Sequence, residues 1–297
     1  MENLRDLRQR MRAIEQTLQV TKAMNLISTA KLRKGRRLLM DTEPFFFRIQ
    51  KTMFDILSGA GGLDSQFFKK QKEEEQKSRT AIVAITSDKG LAGGYNANIV
   101  RRVYELCERV KNPVLIVVGS IGYRNFLHSP LLILENLSFK SRMPTMEDAK
   151  ELAEYIISQY VWGLFDEVHI VYTHMYSSIK LAPRELQLLP LNKEKFQMEF
   201  EKSGGKRVEK QFEYLPSKRE VFENLIPLYQ KGIIYSCLVE AYASEQNARM
   251  AAMDEASKNA EEMLASLKLH YNRIRQTRIT QEISEIASGA EALKGEV

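Results

Sequence analysis

The sequence predicts two long terminal helices, paired as an antiparallel coiled coil, with a small α/β domain inserted between them. Three observations predict it. Apolar residues near the N-terminus recur at alternating spacings of three and four. Residues 233–288, a run of 56, contain neither Gly nor Pro. Between the two ends, short β-branched runs alternate with amphipathic stretches.

The first element is the N-terminal helix, 1–58. Leu4, Leu7, Met11, Ile14 and Leu18 form the a/d seam of a coiled coil. Continuing the count gives Thr21, Asn25, Ser28 and Leu32, so the seam turns small and polar. Gly35 interrupts the pattern before Pro44. Residues 45–57 read as a further amphipathic helix that ends in the glycine-rich 58–62. Pro44 lacks a backbone donor and is expected to kink the path.

The C-terminal helix is assigned to 216–297. Its uninterrupted core, 233–288, would be about 84 Å long at ~1.5 Å per residue, longer than a small domain is wide. Its middle is rich in alanine, which favours helix and lets a partner approach closely. Ile279, Ile283, Ile286, Ala290 and Leu293 then form an apolar stripe, with Gly289 placed for a cap. Such a helix needs a partner. Residues 1–40 carry a net charge of +7 and residues 233–297 carry −3, so the two ends of the chain suit each other. The antiparallel arrangement follows if both helices grow from the domain between them.

That domain is assigned to 80–191. Residues 80–86 and 113–119 are continuous apolar runs of the kind that form buried strands. Residues 167–174 make a third strand and 184–191 a fourth, antiparallel and at the edge. Helices are expected over 99–110, from 122, and over 149–161. The last is introduced by Thr145 and the acids Glu147 and Asp148. The alternation points to a Rossmann-like sheet. Residues 59–79 and 192–215 read as polar connectors.

Composition excludes several function classes. The chain has 297 residues, 44% hydrophobic and 28% charged, which rules out wholesale disorder. Two cysteines, Cys107 and Cys237, rule out a disulfide scaffold or a cysteine-based zinc cluster. The longest apolar runs fall far short of the ~20 residues that span a bilayer, so no membrane insertion is expected. The Arg-rich N-terminus carries Glu2, Asp6 and Glu15, has no apolar leader, and is read as mature structure. A net charge of +6 suggests an acidic partner: nucleic acid, a membrane surface or an acidic protein.

No Ser/His/Asp or Cys/His set can be placed on one surface. His128, His169, His174 and His270 lack metal-ligand spacing. The loop 87–96, SDKGLAGGYN, follows the first strand, where glycine loops can cradle phosphate. It matches neither GxGxxG nor the Walker pattern, and a tight turn with positive φ or an interaction surface fits it better. The stretch 272–278 gathers three Arg and two amides beside an apolar stripe. It is either a solvated face or a polar grip on an acidic partner.

Residues 271–292, YNRIRQTRITQEISEIASGAEA, resemble the C-terminal signature of the gamma subunit of F-type ATP synthases. Three further blocks resemble that family in order: 21–24 with 30–34, 87–96, and 243–253. The resemblance implies an antiparallel coiled coil as central rotor shaft, turning inside a ring of three alpha and three beta subunits. It implies a globular foot that meets the epsilon subunit and the membrane-embedded ring of c subunits. It implies no catalytic site, no cofactor, and a peripheral place on the cytoplasmic side of a cell membrane.

Position by position, Arg275 and Gln276 match the family's polar pair that meets a loop of the beta subunit. Lys22 and Met24 match the facing stretch of the N-terminal helix. Ile279, Thr280, Glu282, Ile283, Glu285, Ile286, Gly289, Ala290 and Leu293 match the signature and the bearing tip. Family members often carry Tyr, an acid and Pro before the last helix. Here Tyr214-Leu215-Pro216 lacks the acid, with Tyr214 and Leu215 the candidates for contact with epsilon or the c-ring. Two other readings compete. One is a basic coiled-coil scaffold that binds nucleic acid, although the interleaved aromatics such binders use are missing. The other is a nucleotide-dependent α/β enzyme.

Overall fold

The computed structural model describes residues 4–58, 65–68, 78–138, 142–191 and 213–294. Most of both connectors, 59–64, 69–77 and 192–212, lies outside the described residues. The helices are α1 (Leu4–Ser58), α2 (Tyr95–Cys107), α3 (Ser120–Phe126), α4 (Met146–Val161) and α5 (Lys218–Lys294). The strands are β1 (Thr80–Ile85), β2 (Pro113–Val118), β3 (Leu132–Leu137), β4 (Glu167–Met175) and β5 (Leu181–Leu189). The chain divides into two compact units: 1–28 with 250–297, and 29–249.

In the first unit the two terminal helices pair antiparallel. Leu7, Thr21 and Ser28 are buried, and Leu4, Met11, Ile14 and Leu18 half-buried, so the seam read from the sequence is the packed face. The matching seam on α5 is Met253, Ser257, Ala260, Leu264, Leu267, Tyr271 and Ile274, again spaced by four and three. Its polar middle is satisfied internally. Asn25 Nδ2 donates to the Met250 carbonyl at 3.1 Å. The Ser257 hydroxyl donates to Thr21 Oγ1 at 2.8 Å, and Thr21 to the Leu18 carbonyl at 3.0 Å. Arg8 donates to the Tyr271 hydroxyl at 2.5 Å and stacks over the ring, 5.6 Å from its centroid.

The second unit is built on a mixed five-stranded sheet, ordered β3-β2-β1-β4-β5. The first four strands run parallel and β5 runs antiparallel to β4 at the edge. All six residues of β1 are buried, because both faces are covered. The period-two alternation divides them. Ala81, Val83 and Ile85 face a core shared with α4 and the nearer parts of α1 and α5. Ile82 and Ala84 face α2 and Phe126 of α3. Gly119, at φ 101, leads into α3; a Cβ there would lie 2.4 Å from the Thr86 carbonyl oxygen. Thr145 and Asp148 close a full capping box at the start of α4.

Two sequence expectations are corrected. The chain from Leu4 to Ser58 is one helix that continues through Pro44, not two helices. The lost donor is offset by packing: Phe46 lies against Gly232 of α5, where any Cβ would sit 2.2 Å from its ring. The C-terminal helix, assigned to 216–297, spans Lys218–Lys294 and continues through a proline, Pro227. Strand β3, left unassigned by the sequence, forms the other edge of the sheet. Its residues are half-buried or exposed, which blurs the apolar signal.

Candidate functional site

The sequence-predicted contact residues fall on separate surfaces. Lys22 is exposed and pairs with Glu261 at 2.6 Å; Met24 is half-buried. Arg275 and Gln276 are both exposed. They lie fourteen residues beyond Glu261, or about 21 Å along α5. Lys22 and Arg275 therefore stand at different levels of the helix pair.

From Arg275 to Ser288 every residue of α5 is exposed. Ile279, Ile283 and Ile286 present 47%, 61% and 73% of their surface to solvent, so this stripe is not covered by the chain's own described residues. The polar side of the segment is internally braced. Arg278 pairs with Glu282 at 3.0 Å, Gln281 donates to Glu285 at 3.0 Å, and Thr280 donates to the Gln276 carbonyl at 3.0 Å. These i,i+4 contacts hold helix without tertiary cover and leave the Arg275 guanidinium free to reach outward. Gly289, Ala290 and Leu293 lie in the last turns of α5, with side chains outside the described set.

A second constellation lies within the other unit, around the glycine loop. The Asp88 carboxylate accepts from the Ser120 backbone N–H at 2.9 Å and from the hydroxyls of Ser120 and Ser138. Ser87 and Asn96 close the loop on itself. Leu91 at φ 62 and Gly93 at φ 55 are left-handed, as the tight-turn reading expects. The carbonyl oxygens of Lys89 and Gly90 accept from Arg249 of α5 at 3.0 and 3.1 Å. Arg249 is buried and pairs with Glu245 at 2.7 Å. Burial raises the Glu245 carboxyl, and Arg249 pulls it partly back. A loop whose carbonyls point at an arginine, beside its own aspartate, offers no cradle to a phosphate. It fastens α5 to the sheet.

Neighbouring residues complete that fastening. Ser244 donates to the Thr173 carbonyl at 2.9 Å and Asn247 to the Ser178 carbonyl at 2.8 Å. Glu240 lies 2.5 Å from His174 Nδ1. The Tyr95 hydroxyl donates to the Ala241 carbonyl at 3.1 Å. The sequence reading gave none of these residues a role. The available signal was an unbroken polar run, Ser244 to Asn247, inside an alanine-rich helix, where a solvated face would show a period of 3.6. The 59–79 connector also holds two packed aromatics. Phe67 is buried and stacks on Tyr160 at 6.2 Å, and Phe68 stacks on Phe222 at 5.3 Å.

Of the two foot candidates, Tyr214 is half-buried against the main core and Leu215 is 80% exposed. Burial raises the Tyr214 hydroxyl, with the Asp55 charge adding to it. Among the described residues no His, Cys, Asp and Glu side chains are grouped to hold a metal, and no helix is long and apolar enough to cross a membrane.

The comparisons with known proteins agree over almost the whole chain. The model of the family described as ATP synthase matches residues 3–293. The ATP synthase gamma chain of Ruminiclostridium cellulolyticum is 44% identical over 293 residues, 98% of this chain and 99% of that protein. That of Acetivibrio thermocellus is 41% identical over 298 residues, 99% of this chain and all of that protein. A chain in the central stalk and c-ring structure of the Tetrahymena thermophila mitochondrial ATP synthase superposes with a TM-score of 0.59. It is 26% identical, and the match covers 80% of this chain and 99% of that one. The chain belongs to the ATP synthase gamma-chain family.

Proposed function

We propose that this chain is the rotor shaft of a rotary ATP synthase and has no catalytic site of its own. The terminal helices act as an antiparallel coiled coil and the 80–191 region as a Rossmann-like foot. Its partners are the alpha and beta subunits around the coiled coil, and the epsilon subunit and c-ring at the foot. It works peripherally on the cytoplasmic side of the membrane. The observation that carries this reading is the run from Arg275 to Ser288, exposed throughout on a chain of this family. A helix that keeps an arginine, a glutamine and an isoleucine stripe open is built for a partner's surface. The nucleic-acid alternative has no support among the relatives, which are ATP synthase gamma chains.

The mechanism is a population shift. Three identical beta subunits meet different faces of one asymmetric shaft, and each face favours a different state of the nucleotide site. Contacts must release at every step. Exposed, screened groups such as Arg275 and Gln276 suit that better than a deep apolar lock. Lys22 and Met24, about 21 Å lower on the pair, act as a second contact level. Ile279, Ile283 and Ile286 supply a smooth apolar bearing. Tyr214 and Leu215 serve the foot.

Arg275→Ala tests the grip. The variant chain should keep the melting temperature of the parent, because Arg275 is exposed. Reconstituted with its partner subunits in vesicles, it should lower ion-driven ATP synthesis several-fold. Unchanged synthesis would remove Arg275 from the contact.

A further inference from the structure

Within the second unit, α1, β4, β5 and α5 line a cavity of about 490 Å³ that none of the roles above uses. That is the size of sites that hold small organic ligands. Its walls carry four aromatic rings, those of Phe46, Phe47, Tyr172 and Tyr229. The charged side chains on the lining are Glu43, Glu240 and Arg184, so carboxylates outnumber guanidinium two to one. Glu43 and Arg184 are both exposed, where water screens them and their charges offset each other. Glu240 is the sheltered one, with 21% of its side chain exposed. It accepts from the Tyr172 hydroxyl, and from the Met175 backbone N–H only at 3.5 Å. His174 Nδ1 lies 2.5 Å away yet makes no hydrogen bond among the described residues. A carboxylate offers about four acceptor positions, so Glu240 keeps capacity for a further donor.

We propose that this cavity binds a lipophilic cation, an ammonium group carried on an aromatic or alkyl body. The ammonium donates to the Glu240 carboxylate, and the exposed Glu43 adds negative charge to the same lining. The body lies between Phe46, Phe47 and Tyr229. Burial of its apolar surface is favourable, and aromatic faces also attract a cation. A charge-assisted hydrogen bond to a half-buried carboxylate is stronger than one between neutral groups. An uncharged ligand would fill the walls but forgo that bond, and an anionic head would meet the sheltered Glu240 charge. Neither the site nor its ligand depends on the rotor assignment.

Titration calorimetry on the full-length chain at about pH 8 tests it, with probes that share one body: 4-phenylbutylamine, 4-phenylbutanol and 4-phenylbutanoate. At that pH the amine is protonated and the acid ionised. The amine should bind saturably, the alcohol at least about tenfold more weakly, and the acid not measurably, the tenfold being the loss of one charge-assisted hydrogen bond. Glu240→Gln should cost the amine about tenfold and leave the alcohol unchanged. Arg184→Gln removes the opposing charge at an exposed position and should tighten the amine about threefold, again sparing the alcohol. Circular dichroism checks that each variant folds; if Glu240→Gln does not, the ranking of the probes and Arg184→Gln decide. Absence of saturable amine binding, equal affinity for all the heads, or tighter binding of the acid would overturn the proposal. So would a folded Glu240→Gln chain that binds the amine as the parent does, or an Arg184→Gln chain that binds it no tighter.

Discussion

Arg249 shares its guanidinium between the Glu245 carboxylate at 2.7 Å and the carbonyl oxygens of Lys89 and Gly90. Both charged side chains are buried, with 8% and 12% of their surface exposed. Removing one partner of such a pair leaves the other charge without compensation. Arg249→Ala should cost about 3 kcal/mol, read from urea unfolding of the chain. A loss below about 0.5 kcal/mol, the range of an ordinary surface change, would mean that the loop is held some other way. Asp148 is a second anchoring residue. Burial on its own would raise its carboxyl, but bonds from Arg142 and from the Thr145 backbone and hydroxyl hold it below the usual carboxylate range. A lowered pKa in the folded state means that ionisation and folding favour each other. The contribution is complete at neutral pH and is lost as pH falls through the acid range. Asp148→Asn should cost about 1 kcal/mol at neutral pH, with the gap to the parent closing below about pH 4. A gap that stays constant in acid would show that the carboxylate charge plays no part.

At the scale of elements, the sequence was most legible where one periodicity governed a long stretch. The three-four spacing of Leu4 to Leu32 names the packed face of α1, because a helix seam repeats regardless of what covers it. The buried runs of β1 and β2 were equally plain. Two features were not. The α5 seam from Met253 to Ile274 is built from Met, Ser, Ala and Tyr as well as Leu and Ile, so hydrophobicity alone passes over it. The Ser244–Arg249 fastening is polar and buried at once, a combination that a sequence shows as an ordinary charged helix. The isoleucine stripe of α5 gave the opposite problem: its spacing resembles a packed seam, yet it is exposed. Position in the fold, not pattern, separates the two. Ile283→Asp should therefore leave the stability of the chain within about 0.5 kcal/mol, as for a surface site. It should still weaken recovery of the chain with alpha and beta subunits in a pull-down. A marked fall in the melting temperature would mean that the stripe is packed by the chain itself.

At the scale of the whole molecule, the net charge of +6 first suggested an acidic partner without identifying one. The structure shows what the basic residues of α1 do individually. Lys22 pairs across the helices with Glu261, Arg8 with Tyr271, and Arg36 donates to Met175 Sδ and Ser178. Part of the excess is thus spent inside the fold, Arg37 also pairing with Asp41 at 3.9 Å, while Arg33 and Lys34 are exposed. Overall function could be read because the C-terminal signature coincides with the segment that the fold leaves uncovered. The decisive measurement is single-molecule rotation of the complex reassembled around this chain and fixed to glass through its beta subunits. Trp162, 77% exposed at the end of α4, can be replaced by Cys to carry a bead. With ATP supplied, the bead should turn in one direction and pause at three angles per revolution. A bead that stays still while the same complexes hydrolyse ATP would contradict the rotor assignment.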